Sequence, residues 1–563
     1  MARQNTTPVE FNKTTRRDRV VGMTSGRAGT FYPIDFIPVN RGDSLSGTFA
    51  LEAELAEMPK PLLNAVQMNV QAWFVPKAAM PYFSGYDEFI FSYQKEQIPA
   101  LGEAPRDPPS FFNTLSGLDI TEYAGSSFVN VLGLHTTSAT DNKINTDLLD
   151  AYSLIWNFRA GAHSTKIPRK SYASEDLTEA LTFGRAFWPS GRFSHIVPDY
   201  ERALVVGALD LDVTAGQIPV SGIGLMDPMT NTTSSINVRE TGKSVYSIFP
   251  TGTRDADAST PTPGHNKFGM KTDANAYPAI FAEMADQTVV TSLADIDKAR
   301  LTQSFAKLRS QYAGNDYSGF DPDDVLTAEL MQGFNVPNEL FNRPWLLDSK
   351  RVTFGMIERF ATDSANLDAS VSVGKTAASL SLNLPVQDTG GHIIICIEVL
   401  PEKLNERQGD MAMLLNDPDQ YPNALRDIQR PEPVDTVSNY RIDARHTSPD
   451  AIYGYEPMNA VWERDFTRLG GDFYQADPNN PYKQARAGIW TPNLVDPVYT
   501  VDHWLAPDPF PHDVFSDTTA SAFEIAFSHN VAINGITQIG DMLVENNDDY
   551  ADVAAEGDTT TTP

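Results

Sequence analysis

The sequence predicts a mainly β protein, an antiparallel barrel or sandwich, on three observations. First, residues Gly29 to Pro76 read GTFYPIDFIPVNRGDSLSGTFALEAELAEMPKPLLNAVQMNVQAWFVP. Two β-rich runs flank a Pro/Asn/Gly/Asp turn, and a strand ending on Trp73-Phe74-Val75 follows a proline-bounded link. Second, Thr48, Ala50, Glu52 and Glu54 alternate with Phe49, Leu51, Ala53 and Leu55. Val66, Met68, Val70 and Ala72 repeat this period of two, which marks strands with one buried face. Third, the 39 prolines and 36 glycines are spread along the chain, as a fold of many turns and long loops requires.

The remaining elements follow in order. From Tyr82 to about Ser127 the chain is aromatic and proline-rich without periodicity, an irregular connection with short helices. Leu148, Leu149, Tyr152, Ile155 and Trp156 fall at helical spacing and predict a helix over Asp147–Phe158. Glu201–Val213 is strand-like. Gly216 to about Tyr277 is rich in Thr, Ser, Gly, Asn and Pro and short of aliphatics, so it reads as an exposed surface insertion. Two helices are expected next. Ser292–Asp295 resembles a capping box, with Leu301, Phe305, Leu308 and Tyr312 on one face, and Asp321-Pro322-Asp323-Asp324 is a second start that ends near Gly333. Strands return over Ser370–Leu384, Gly391–Val399 and Ala522–Ile533. Residues 31–76, about 201–213, 370–399 and 522–533 are therefore expected in one barrel.

At 563 residues the chain exceeds what one core usually organises, so two domains or one with long insertions is expected. The single cysteine, Cys396, excludes an internal disulfide framework and reads as a core thiol within an apolar run. No apolar run reaches the roughly 18–20 residues that span a bilayer. The basic N-terminus lacks a following apolar segment, so synthesis in the cytoplasm is expected. The net charge is −30, yet it is unevenly placed. Residues 1–30 carry Arg3, Lys13, Arg16, Arg17, Arg19 and Arg27 against Glu10 and Asp18, an excess of four positive charges. From Asp541 onward there are seven acids and no base.

Chemical motifs are weak. Ala369–Thr376 fits a relaxed phosphate-loop pattern, but a polar stretch precedes it and an alternating strand follows, the wrong context for amides converging on phosphate. Gly242-Lys243-Ser244 has Asn237 where the first glycine belongs. Nine histidines form neither HExxH nor a Cys/His cluster, so no metal or other cofactor is expected. The acids of Asp316–Asp324 lack EF-hand spacing and suit helix capping better. No catalytic residue is assigned and no enzyme is expected.

Several segments, in a shared order, resemble the major capsid proteins of the Microviridae, small tailless single-stranded-DNA phages. Asn40-Arg41-Gly42-Asp43 sits where that family has a "PGD" or "AGD" turn, and Trp73–Pro76 where it has "FFVP". Tyr152–Asn157 is similar to the "YNLIWN" of gokushovirus-type members. Phe334–Val336, Arg343–Leu346, Glu406–Gly409 and Tyr453–Glu456 sit where the family has "FGV", "RPEYL", "QQG" and "FGYQERYAEYR", with Pro457 a departure. The matches span most of residues 29–535.

The resemblance implies a single eight-stranded antiparallel jelly roll of viral capsid type, with long loop and helical insertions. It implies a basic arm over 1–30, the jelly roll over 31–540 and an acidic tail over 541–563. Within the jelly roll, about 77–200 would be irregular and helical, about 214–290 a variable insertion, about 292–345 a helix pair and about 400–520 long loops. The function implied is a virion subunit, made and assembled in the bacterial cytoplasm. It would form pentamers and an icosahedral T=1 shell around circular single-stranded DNA, with surface insertions attaching to a host receptor. Single-stranded DNA is held by cations on phosphates and aromatic rings under bases. Here the basic arm, through Arg3, Lys13, Arg16, Arg17 and Arg19, is the expected contact. At this net charge most phosphate must be met otherwise, by polyamines, metal ions or the small basic packaging protein the family carries, alongside other minor virion proteins. The alternatives are a β-sandwich carbohydrate-binding or glycoside-hydrolase-like protein and, third, a nucleotide-dependent enzyme using Gly374–Thr376.

Overall fold

The computed structural model describes residues 13–199 except 84, 100–104, 117, 136–142 and 165. It also describes four short strands between 218 and 282, and residues 343–360, 370–428, 434–463, 466–474 and 488–540 except 493. The chain divides into two compact units, one of Met1–Arg202 with Leu308–Pro563 and one of Ala203–Lys307. In the second, Ser235–Val238 pairs with Ser247–Pro250 and Ile218–Pro219 with Phe281–Ala282, all antiparallel. The expected strand at 201–213, the helices of 292–333 and the acidic tail lie outside the described residues.

The first unit is mainly β. Its principal strands, numbered in chain order, are β1 (Thr14–Gly26), β2 (Thr30–Val39), β3 (Ser44–Leu55), β4 (Val66–Pro76), the short β5 (Gly184–Arg185) and β6 (Trp345–Thr353). They continue with β7 (Gly355–Phe360), β8 (Ser370–Leu384), β9 (Gly391–Pro401), a satellite pair β10 (Val434–Ser438) and β11 (Ile452–Pro457), and β12 (Phe523–Gly535). One five-stranded sheet has the order β1-β12-β3-β8-β7 and the other β6-β4-β9-β2-β5. All neighbours in both are antiparallel. The regions 31–76, 370–399 and 522–533 thus share one unit, with β3 and β12 adjacent.

Packing explains the patterns. Phe49, Leu51, Ala53 and Leu55 of the first sheet meet Met68, Val70, Ala72 and Phe74 of the second in one core cluster. The second sheet is buried on its other face too. There Trp73, Val75, Ile394 and Cys396 pack against Leu149, Tyr152, Ile155 and Trp156 of the Asp147–His163 helix. Burial on both faces is why β9 reads as an apolar run, IIICI, rather than an alternating one. Cys396 is buried as expected, and burial raises its thiol pKa well above the ordinary value.

The Asn40–Asp43 turn between β2 and β3 places Gly42 at φ +81°, a left-handed conformation that favours glycine. Asp43 N–H donates to Asn40 O at 3.1 Å, and Asn40 N–H donates back to the Asp43 carboxylate at 2.9 Å. One expectation is corrected. Residues 1–30 are expected as a basic arm, but Thr14–Gly26 is a 13-residue strand, paired throughout with β12. Glycine makes this fit possible: a side chain at Gly22 would meet the Phe527 ring, and one at Gly26 the rings of Phe523 and Tyr32.

Candidate nucleic-acid interface

The five expected contact residues fare differently. Arg3 lies outside the described residues. Lys13 is exposed at the entry to β1. Along β1, side chains alternate between the sandwich and solvent. Arg16 and Asp18 turn inward, while Arg17 and Arg19 turn outward and are exposed.

Arg16 is tied into the fold of its own chain. Its guanidinium forms a two-pronged ion pair with Asp43, whose side chain is 0% exposed, and donates to Thr537 Oγ1 at 3.2 Å. It ties β1 to the Asn40–Asp43 turn and to the chain leaving β12. Asp18 makes a second tie. His529, buried on β12, places Nδ1 2.6 Å from Asp35 of β2, and Nε2 3.4 Å from Asp18, an ion-pair distance without hydrogen-bond alignment. Burial works against a charged imidazole here. The hydrogen bond and charge of Asp35, joined by the nearby Asp18 carboxylate, outweigh it and hold the His529 pKa above its ordinary value.

The outward face of this sheet is the surface to which Arg17 and Arg19 belong. Ladder registers put Ala532, Ser46 and Asn383 in the row of Arg17, and Asn530, Thr48 and Ser381 in the row of Arg19. The next two rows begin with Val21 and Met23, which are 66% and 83% exposed. Carboxylates belong to the far end: Glu52 in the row of Met23, then Glu524 and Glu54 in the row of Ser25, where Lys375 pairs with Glu54 at 2.8 Å. Around Arg17 and Arg19 the strands present only small amides, hydroxyls and methyls. At the opposite edge Asp348 accepts from Ser381 N–H at 2.8 Å. A shallow groove of about 530 Å³ opens at this end, lined by Thr15, Ser46, Asn383 and Asn534 among others.

Chemically, this end of the face offers two guanidinium groups without ion-pair partners among the described residues, and a field of hydrogen-bond donors. That combination suits phosphate or carboxylate oxygens. It has no aromatic ring in its rows on which a base could stack. Sequence reasoning found Arg17 and Arg19 but missed the face they sit on. The signal available was the β-branched run after Arg19, followed by its pairing partner near residue 530.

Other charged groups are committed to the fold. Glu398 accepts from Arg159 at 2.7 and 3.0 Å, Lys77 reaches Asp147 at 3.1 Å, and Arg441 pairs with Glu456. Gly374-Lys375-Thr376 runs through the middle of β8, so its backbone belongs to ladders with β3 and β7 rather than to a phosphate loop. Among the described residues no cluster of His, Cys, Asp and Glu is arranged to hold a metal, and no helix is long and apolar enough to cross a membrane. No protein-family model matches the chain, and no curated protein matches it.

Proposed function

We propose that the chain is a major capsid protein of Microviridae type, a jelly-roll subunit that builds an icosahedral T=1 shell through pentamers around circular single-stranded DNA. Strand order supports the jelly-roll part of this reading. Take the eight long strands β1, β2, β3, β4, β6, β8, β9 and β12 as first to eighth. One sheet then runs 1-8-3-6 and the other 2-7-4-5, with β7 and β5 as extra edges. This interleaving supports two Greek keys wound into a jelly roll. Jelly rolls also serve lectins and enzymes, so the fold does not choose the function. The ordered sequence segments that resemble the family, together with an open polar sheet face, favour the shell.

In this reading Lys13, Arg17, Arg19 and Arg3 give the subunit a local hold on phosphate, while Arg16 serves its fold. A small basic packaging protein, polyamines or metal ions neutralise the rest. The insertion within Ala203–Lys307 is assigned to host attachment.

The test is assembly. Protein expressed in bacteria, fractionated by sedimentation and viewed by electron microscopy is expected to give shells of uniform diameter. A chain that stays monomeric at high concentration, with and without magnesium and single-stranded DNA, would sink the proposal. The DNA assignment is separate: replacing Arg17 and Arg19 by Gln is expected to lower packaged DNA with shells intact. Failed shells would make these arginines a subunit clamp instead, and intact shells with unchanged DNA content would overturn the DNA assignment.

A further inference from the structure

We propose that the acidic segment Asp541–Pro563 docks within its own chain on the basic end of the open sheet face, over Lys13, Arg17 and Arg19. It would occupy that surface until a polyanion displaces it. Only the identity of the displacing polyanion, single-stranded DNA, depends on the functional reading above.

The first argument is where the described chain ends. Gly535 pairs with Thr14, Thr14 Oγ1 donates to Thr537 O, and Arg16 donates to Thr537 Oγ1. The backbone therefore leaves β12 at the end of the sheet that carries Lys13, Thr15 and Arg17, beside the groove lined by Thr15, Ser46 and Asn534.

The second argument is charge. Beyond Gly540 the sequence carries Asp541, Glu545, Asp548, Asp549, Asp552, Glu556 and Asp558 with no Lys or Arg. On a chain of net charge −30, the rows of Arg17 and Arg19 form a cationic surface free of carboxylates on their own strands. Each inward acid at this edge has a cationic or imidazole partner, Asp43 with Arg16 and Asp18 with His529. The outward arginines have no such partner among the described residues.

The third argument is reach and shape. From Thr14 to Arg19 is about 17 Å at about 3.3 Å per residue, a distance that a few residues beyond Gly540 cover. The small side chains of Ser46, Thr48, Asn383 and Asn530 leave room for an extended strand with carboxylates, as they would for a sugar-phosphate backbone. The tail and a nucleic acid strand present the same chemistry, anions spaced along a chain, so they compete for the same cations.

Zero-length carbodiimide coupling of the full chain at low salt tests the placement. Lys13 is expected to couple within one chain to carboxylates of the tail, and the coupling is expected to disappear at high salt. Couplings found only between two chains, or none to Lys13, overturn the intrachain assignment. A full-length variant with the seven tail acids changed to Asn or Gln is then titrated with the synthetic peptide 541–563 and, separately, with a thymidine 20-mer. The peptide is expected to bind this variant, and adding Arg17→Gln and Arg19→Gln is expected to weaken it about tenfold or more at low salt. The 20-mer is expected to bind the tail-neutralised variant about tenfold more tightly than the natural chain. No peptide binding overturns the proposal. Peptide binding with no 20-mer binding leaves the docking standing and removes DNA as its competitor.

Discussion

The two sheets of the sandwich share a core but differ in what lies behind them. The sheet β6-β4-β9-β2-β5 is covered by the Asp147–His163 helix and carries apolar residues on both faces, whereas the sheet β1-β12-β3-β8-β7 turns small polar residues outward. Polar groups follow the same division. Behind the covered sheet the charged groups are buried and paired: Glu398 holds Arg159, Asn69 and the Phe187 amide. The Tyr152 hydroxyl donates to Phe31 O at 2.7 Å and accepts from Gly184 N–H at 2.8 Å. On the open sheet they are left over for something else. One sheet is closed by a helix, the other is left open to solvent.

If that contrast is right, substitutions behind the covered sheet cost most. Glu398→Ala strands the Arg159 guanidinium among Phe31 and Phe187 and is expected to cost about 3–5 kcal/mol, read from urea unfolding. An unchanged midpoint would break the comparison. Tyr152→Phe leaves a buried carbonyl and amide unmatched, with an expected cost of about 1–3 kcal/mol. The His529 link between the sheets sharpens the contrast through pH. Its pKa is raised in the folded state, so its contribution is fully present below the unfolded value of about 6.5 and fades as pH rises through the folded pKa. The stability gap between the natural chain and His529→Asn is therefore expected to narrow from pH 6 to pH 9. A constant gap would mean that the imidazole acts only through packing. The smallest effect belongs to the open face. Lys375→Ala, which removes an exposed pair with Glu54, is expected to change stability by about 0–0.5 kcal/mol.

What was legible in the sequence follows from the same contrast. A strand with one wet face declares itself by alternation, as β3 and the end of β8 do. A strand buried on both sides declares itself by an apolar run, as β9 does. β1 does neither. Its inward face carries Arg16 and Asp18, two ion-pair partners, and Gly22 and Gly26, two glycines under aromatic rings, with Val20 its one apolar side chain, so no hydrophobic period marks its buried side. β6 and β7 also went unread, because their apolar and charged residues follow no strict alternation, and β6 shifts register between Leu346 and Asp348. At the interface, composition located the cations but not their directions. Arg16 and Arg17 are neighbours in sequence, yet only the pleat decides that one is a fold residue and the other faces solvent.

Cys396 gives the covered sheet a built-in clock. It is the chain's one sulfhydryl, it lies between the sheet and its helix, and burial keeps it protonated. A thiol-trapping reagent can reach it only when the two layers part, so the labelling rate counts opening events of the innermost layer against no chemical background. Because loosening of β1 or of the open face leaves that layer closed, the same sulfur would stay silent during any rearrangement confined to the open face.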